Sequence, residues 1–329
     1  MSLLKKILIT GASLLAIISA YSYFSPKPAS MVIKQLFKEG VAVPPDDYEK
    51  IKAQTMSFDN LNYTSKYEDG QLDIVVPKEQ SKPLPTILWV HGGAYVGGDK
   101  KDITEYATQV AAKGYAVINM NYELAPSATY PTPLKQMDEV YAYMKKYAQK
   151  YNLNLDQLFI AGDSAGAQIA GQYINIQVDA DYARKVDLQA AIPANTLRGA
   201  LLFCGPYDLS ALDSLSSNRL ISFFMQRAGW AYIGERDWQN SPSTQLASLT
   251  DTISKNYIPT FITDGNTGSF EEHGVKLAQI LTSYDVPVTR VFYPTSEASL
   301  GHEYQFMMDL PQAKQTFNEL EQFLKTQTN

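Results

Sequence analysis

The chain has 329 residues, 45% of them hydrophobic, and a formal net charge of −6. This length and composition are sufficient for the core of one large α/β domain. The acidic balance argues against a nucleic-acid partner, which would require a basic surface. No group of His, Cys and carboxylate residues has metal-ligand spacing, and no glycine-rich phosphate loop occurs, so we expect no metal and no cofactor. The single cysteine, Cys204, excludes an internal disulfide framework.

The N-terminal segment carries a targeting pattern. Residues 7–24 form an uncharged, mostly apolar run that follows Lys5 and Lys6. Its length is at the short edge of a membrane span and exceeds a typical signal-peptide core. The pattern predicts that residues 1–26 are an uncleaved membrane anchor with the rest of the chain extracytoplasmic. A cleaved signal segment, which would make the protein secreted, is the alternative.

Strand and helix signals alternate along the remainder of the chain. Residues 27–60 are predicted to be a linker with short cap helices, and residues 61–329 a single α/β domain. Strands are predicted at 61–67, 72–76, 86–90, 116–121, 158–161, 200–204, 260–263 and 288–293. Helices are predicted at 103–112, 134–151, 167–178, 270–281 and 310–325. This alternation indicates a mostly parallel eight-stranded sheet flanked by helices on both faces.

Two insertions interrupt the alternation, at residues 179–197 and 210–256. The second is rich in aromatic residues, which indicates a helical cap. Its aromatic side chains could pack within the cap, or line a substrate pocket beneath it, or do both.

Two glycines, Gly92 and Gly93, follow the apolar run 86–90. Alone, this pair would indicate a glycine turn at the end of a strand. A serine hydrolase, however, needs backbone N–H donors aimed at a developing oxyanion, and such donors reach a substrate only where no side chain intervenes. With Ser164 downstream, we expect Gly92, Gly93 and Ala165 to supply these donors.

Residues 162–166 read Gly-Asp-Ser-Ala-Gly, between a strand-length apolar run and a helical segment. A G-x-S-x-G motif in this context is the nucleophile elbow, a sharp turn that lifts the serine hydroxyl clear of the sheet. The small residues beside Ser164 permit the close approach of strand and helix. The alternative is an ordinary strand-to-helix turn that contains a serine.

The acid of a triad should follow the strand 260–263. Asp264 is the first carboxylate there, and we expect it to lie within hydrogen-bond reach of a catalytic histidine and orient its ring. Asp264 could instead be a turn aspartate that bonds to local backbone N–H groups. Glu271, Glu272 and Asp208 are the alternative acids.

The chain has three histidines, His91, His273 and His302. His91 belongs to the glycine loop and is expected to support it, and His273 begins a helix on its polar side. His302 lies in the last loop before the C-terminal helix, where the chain order Ser, acid, His places a base. We therefore expect His302 to be the base that activates Ser164.

The motifs together resemble the α/β-hydrolase esterase/lipase family, in the group of hormone-sensitive-lipase-like and feruloyl-esterase-like enzymes. The matching segments are 91–95, 122–126, 162–166, 205–209 and 301–303. The resemblance implies a catalytic domain over residues 61–329 that hydrolyses carboxylic esters through an acyl-enzyme. Two positions depart from the family pattern: Ala94 stands where a third glycine is usual, and Gly268 stands where the acid is usual.

The sequence thus predicts a serine carboxylic-ester hydrolase with the triad Ser164, Asp264 and His302. The substrate would be a small-molecule or lipid ester, with uncharged short-to-medium acyl groups preferred. Two alternatives use the same residues differently: a non-catalytic or weakly active hydrolase-fold binding protein, and an acyltransferase or peptidase with the same triad. The sequence leaves the oligomeric state open.

Overall fold

The structure is a computed structural model that describes residues 21–38, 40–215 and 219–328. Eight strands form one sheet in the order β1-β2-β4-β3-β5-β6-β7-β8. In chain order they are β1 (Thr55–Asn62), β2 (Gln71–Pro77), β3 (Leu84–Val90), β4 (Ala116–Met120), β5 (Leu153–Asp163), β6 (Leu197–Phe203), β7 (Thr260–Thr263) and β8 (Val288–Val291). The β1–β2 and β2–β4 pairs are antiparallel, and all other neighbours are parallel.

Helices cover both faces of the sheet. They are α1 (Lys27–Leu36), α2 (Tyr48–Lys52), α3 (Thr104–Ala112), α4 (Thr132–Tyr147), α5 (Ala165–Val178), α6 (Ala180–Lys185), α7 (Arg219–Ile233), α8 (Pro242–Ala247), α9 (Leu249–Thr252), α10 (Glu271–Ser283) and α11 (Pro311–Thr328). Residues of α4, α5 and α10 belong to the apolar core on one face, and residues of α3 and α11 to the core on the other. Parallel strands that are buried on both faces require side chains that are apolar throughout, and every residue of β3 is buried.

The predicted fold class, an α/β sheet of eight mostly parallel strands with a helical insertion, is confirmed. The first strand was predicted wrongly at residues 61–67, since β1 spans Thr55–Asn62. This strand lies at the edge of the sheet and exposes much of its length, so polar residues alternate with apolar ones and its apolar signal is weak. The boundary predicted at residue 61 therefore falls inside β1.

The insertion at residues 210–256 contains α7, α8 and α9. Helix α7 packs against α1, and residues next to α1 and within α7 line the cavity that contains Ser164, so α1 and the insertion form one cap over the carboxyl ends of the strands. Within this cap, the ring of Tyr232 stacks on Tyr95 of the glycine loop at 3.9 Å between centroids. The cap is thereby fixed to the loop that follows β3.

The predicted membrane localisation is corrected by the structure. A helix that crosses a bilayer needs about 20 consecutive apolar residues. Within residues 21–38, 40–215 and 219–328, no helix is long and apolar enough to do so. Residues 1–20, which make up most of the segment predicted as an anchor, lie outside the described residues.

Gly166→Ala tests how tightly the elbow packs on β3. A Cβ at Gly166 would lie 2.1 Å from the carbonyl oxygen of Val90. We expect this substitution to lower the free energy of unfolding by about 1–3 kcal/mol, the usual cost of overpacking. The measurement is denaturant unfolding, and Gly40→Ala, whose Cβ would meet nothing closer than 3.4 Å, is the control. Equal stability of the two variants would contradict the prediction.

Candidate active site

Ser164 occupies a strained turn between β5 and α5. Its φ of 51° and ψ of −124° lie outside the regions that non-glycine residues ordinarily adopt. The Ser164 N–H donates to the carbonyl oxygen of Phe203 at 2.8 Å, which fixes the turn to β6. Ser164 directly precedes α5, so its hydroxyl stands at the N-terminal end of that helix. The helix dipole favours negative charge there.

His302 contacts the Ser164 hydroxyl directly. Its Nε2 lies 2.9 Å from the Ser164 Oγ, which is the geometry of a nucleophile and its base. The edge of Phe270 packs against the imidazole at 5.7 Å between ring centroids. Burial lowers the pKa of His302 to about 4, so the ring is neutral near pH 7 and able to accept a proton.

The other ring nitrogen of His302 meets a hydroxyl group. His302 Nδ1 lies 2.7 Å from the Oγ of Ser269, and the Ser269 hydroxyl donates in turn to Oδ1 of Asp264. Asp264 also accepts a hydrogen bond from its neighbour, the Gly265 N–H, at 2.7 Å. The direct contact expected between Asp264 and His302 is therefore replaced by one that passes through Ser269.

The alternative acids lie elsewhere. Asp208 forms an ion pair with Lys276 at 2.9 Å and accepts a hydrogen bond from Ser210. Glu271 and Glu272 lie in the first turn of α10, and neither is hydrogen-bonded to His302. None of the three carboxylates approaches the Nδ1 atom that an acid would have to orient.

The other two histidines have local contacts. The ring of His91 stacks on Tyr122 at 4.6 Å, and its Nδ1 lies 2.7 Å from the carbonyl oxygen of Gly92. This placement matches the supporting role expected for His91. His273 Nδ1 accepts from the Asp208 N–H at 3.3 Å.

The glycine loop after β3 lies beside the nucleophile, with one difference from the expectation. The Gly92 N–H donates to Oδ2 of Asp163 at 2.8 Å, so it is not available to an oxyanion. In the part of the chain that the structure describes, the N–H groups of Gly93, Ala94 and Ala165 have no hydrogen-bond acceptor. Ala94 and Ala165 also line the cavity that contains Ser164. Ala94 therefore replaces Gly92 among the candidate donors.

Two carboxyl groups lie beneath this loop. Asp163 accepts from the Trp89 Nε1–H at 2.7 Å as well as from Gly92, and it interacts with the side chain of Glu303. Burial raises the pKa of Glu303 well above its usual value, and the adjacent Asp163 raises it further. Because Asp163 already accepts two N–H bonds, the pair retains a proton on Glu303.

An apolar cavity of about 100 Å³ opens onto Ser164 and His302. Phe37, which follows α1, forms one wall, and Leu212, Met225 and Ala228 of the insertion form another. Trp238, in contrast, is buried against Gly229 inside the cap. Aromatic side chains of the insertion, such as Trp238, thus pack inside the cap, and the insertion residues that line the pocket are not aromatic.

Among the described residues, Cys204, Asp264 and His302 bring their polar atoms within 4.8 Å of one another, the one such group of metal-ligand types. Both nitrogens of His302 already have hydrogen-bond partners in Ser164 and Ser269. Neither nitrogen is therefore free for a metal ion. The two contacts of His302 fit a hydrogen-bond relay instead.

Sequence reasoning missed Ser269, Ala94 and Glu303. The only signals for Ser269 were a hydroxyl residue next to Gly268 and its position in the loop after β7. For Ala94, the signal was its place directly after the two glycines. Glu303 adjoins His302 in the sequence, but nothing there indicated its contact with Asp163.

Comparison with known proteins places this chain in a family. Residues 72–273, more than half of the chain, match the BD-FAE family. An acetyl esterase of Salmonella agona is 24% identical over 270 residues, which cover 78% of this chain and 77% of that protein. An esterase of Gibberella moniliformis is 41% identical over 90 residues, which are 27% of this chain and 28% of that protein. The matches to that esterase and to two other relatives cover about a third or less of those proteins.

Solved structures share the whole fold. Esterase B from Lactobacillus rhamnosus HN001 superposes with a TM-score of 0.72 at 16% identity, covering 96% of this chain and 95% of that chain. A bacterial heroin esterase superposes with a TM-score of 0.65 at 17% identity, covering 84% of this chain and 86% of the other. The resemblance that the sequence motifs indicated is confirmed, and the chain belongs to the BD-FAE family of α/β-hydrolase esterases.

Proposed function

We propose that the protein is a serine carboxylic-ester hydrolase that acts through an acyl-enzyme. The observation that carries this proposal is the 2.9 Å contact between Ser164 Oγ and His302 Nε2 at the mouth of an apolar cavity. The acetyl esterase, Esterase B and heroin esterase that resemble this chain are named for ester hydrolysis, which supports the proposal.

The reaction begins with attack of Ser164 Oγ on the ester carbonyl while His302 Nε2 takes the hydroxyl proton. The negative charge on the carbonyl oxygen is stabilised by the N–H groups of Gly93, Ala94 and Ala165, which have no acceptor among the described residues. His302 then protonates the departing alcohol. Water, deprotonated by the same nitrogen, releases the acid and restores Ser164.

The cavity favours short acyl groups. Its volume of about 100 Å³ is well below the roughly 300–1,000 Å³ of pockets that hold drug-sized ligands. Among the residues that the structure describes, the lining is mostly apolar, and its one titratable side chain apart from Tyr95 is His302, which is neutral near pH 7. An uncharged acyl chain of a few carbons fits these walls, and a longer chain would require the cap to move.

Ser164→Ala tests the nucleophile. We expect loss of p-nitrophenyl acetate turnover by about 10⁴-fold or more, and loss of labelling by a serine-reactive phosphonate. His302→Asn should reduce turnover to a similar extent, because the base is removed. His273→Asn is the matched control and should keep turnover within a few-fold of the parent protein. Wild-type protein that neither turns over the ester nor takes up the probe would support a binding protein instead.

The choice between water and other nucleophiles can be tested on the same protein. Hydrolysis through an acyl-enzyme predicts that added alcohols divert only part of the acyl group. Alcohols that outcompete water at low concentration would identify an acyltransferase, and faster turnover of matched amides would identify a peptidase. Product analysis by mass spectrometry separates these outcomes.

The low pKa of His302 predicts activity in mildly acidic solution. The base works only when neutral, so kcat/KM for an uncharged ester should stay near its plateau as the pH falls below 6.5, the ordinary pKa of histidine, and should decline only through about 4. The measurement is kcat/KM against pH, with circular dichroism at each pH to verify folding. A decline centred at 6.5 or above would contradict the prediction.

Met225→Ala tests the acyl pocket. Removing this side chain from the wall should enlarge the cavity and raise kcat/KM for octanoyl relative to acetyl esters, by about ten-fold. Met56→Ala, at an exposed methionine of β1, is the control and should leave the ratio unchanged. An unchanged ratio in Met225→Ala would place the acyl chain elsewhere.

A further inference from the structure

A serine side chain lies where a triad carboxylate would contact the histidine. His302 Nδ1 faces Ser269 Oγ at 2.7 Å, and the carboxylate of Asp264 is reached only through that hydroxyl. Gly268, one of the two departures noted in the sequence, has a φ of +62° and no side chain that could meet the imidazole. The hydroxyl group of Ser269, the next residue, makes the contact with the imidazole of His302.

Burial raises the pKa of Asp264, but its Oδ1 accepts from the Gly265 N–H and is therefore an acceptor, which gives the chain of contacts a direction. The Ser269 hydroxyl carries one hydrogen, which it donates to Oδ1 of Asp264. Its oxygen is then left to accept the Nδ1–H of His302. Nε2 must in consequence carry the lone pair that accepts the proton of Ser164, which is the tautomer that catalysis requires.

The loop that carries Ser269 is held in place by contacts in which Ser269 has no part. The side-chain nitrogen of Asn266 donates to the carbonyl oxygens of Tyr293 and Ala298, both at 2.8 Å. The Asn266 Oδ1 accepts from the Leu300 N–H at 3.0 Å. These bonds join the loop after β7 to the loop that carries His302, so the two side chains meet in a preformed geometry.

We propose that Ser269 is the positioning residue of the catalytic base, occupying the place of the triad carboxylate, and that Asp264 acts on His302 through it. This inference rests on the proposed function. Ser269 holds the Nδ1–H tautomer, and Asp264 holds Ser269. Neither residue contacts the reacting atoms.

A hydroxyl group and a carboxylate differ in how far they stabilise the protonated imidazole ring of His302. It accepts the Nδ1–H bond, but it carries no charge to stabilise the imidazolium that forms during the reaction. Among the described residues, the other titratable groups near the ring are Cys204 and Asp264, whose pKa values burial raises, and Glu303, which lies 3.9 Å from Nε2 and whose pKa is also raised by burial. His302 is therefore a weaker base than one paired with a carboxylate, and it stays unprotonated at lower pH.

Ser269→Ala is the first test. We expect kcat for a short-chain ester to fall by about 10²-fold with KM nearly unchanged, because the tautomer is no longer held. Ser269→Thr, which keeps the hydroxyl, should recover most of the loss. Ser299→Ala is the matched control, since it removes a hydroxyl of the neighbouring loop whose partner is Thr267 at 3.0 Å. Wild-type kcat in Ser269→Ala would overturn the proposal.

A double-mutant cycle tests whether Asp264 acts through Ser269. Asp264→Asn should lower kcat by about ten-fold in the parent protein, but by less than about two-fold in the Ser269→Ala background. Equal effects in both backgrounds would show that Asp264 acts independently and would overturn the relay. Thermal unfolding of each variant separates this coupling from a common loss of stability.

Ser269→Asp gives a readout that a merely structural role would not move. A carboxylate against Nδ1 should raise the pKa of His302, so the acid limb of kcat/KM should shift upward by about one pH unit or more. An acid limb unchanged in a folded Ser269→Asp protein would overturn the proposal. Ester turnover that depends on Ser164 but not on Ser269 would reject this inference alone, whereas absence of any Ser164-dependent turnover would reject the proposed function.

Discussion

Asp163 accepts two hydrogen bonds that join the strand of the nucleophile to the strand of the glycine loop. Its carboxylate lies at the end of β5, one residue before Ser164, and binds Trp89 Nε1–H at 2.7 Å and the Gly92 N–H at 2.8 Å. Both donors lie at the end of β3. The distance from Ser164, the proposed nucleophile, to the proposed oxyanion donors of the glycine loop is thus set by one buried group, to which Gly92 donates its N–H. Gly166 packs closely against the Val90 carbonyl group, which further fixes the start of α5 relative to β3.

Burial sets the protonation states around this constraint. A second negative charge beside Asp163 would oppose the developing oxyanion, and the proton retained by Glu303 prevents it. His302 is neutral for the same reason, since burial lowers its pKa and a hydroxyl rather than a carboxylate faces Nδ1. Among the described residues, the cavity lining therefore carries no formal charge before the substrate arrives. Uncharged esters are the ligands that such a site desolvates at the least cost.

The parts of the site that the sequence predicted follow immediately upon buried strands. Ser164 comes directly after β5 and the two glycines after β3, and the ends of neighbouring parallel strands meet at one edge of the sheet. The strand positions did not indicate which of Ser269 and Asp264 contacts His302 directly. Which of them reaches His302 depends on the path of a loop fixed by side-chain bonds of Asn266 to a segment about thirty residues away. The Asp163–Glu303 contact escaped prediction for the same reason.

The groups that we propose perform the chemistry and the groups that line the pocket come from different parts of the chain. Ser164, Ser269 and His302 lie on loops at the ends of the sheet strands, which the core holds rigid. Phe37 and Met225, in contrast, belong to the N-terminal segment and the insertion, which contact each other above the sheet. Substitutions in the cap can change the size of the acyl pocket without disturbing the hydrogen bonds of the base. Acyl preference and reaction mechanism are therefore separable properties of this fold, as expected where specificity lies on loops supported by a rigid scaffold.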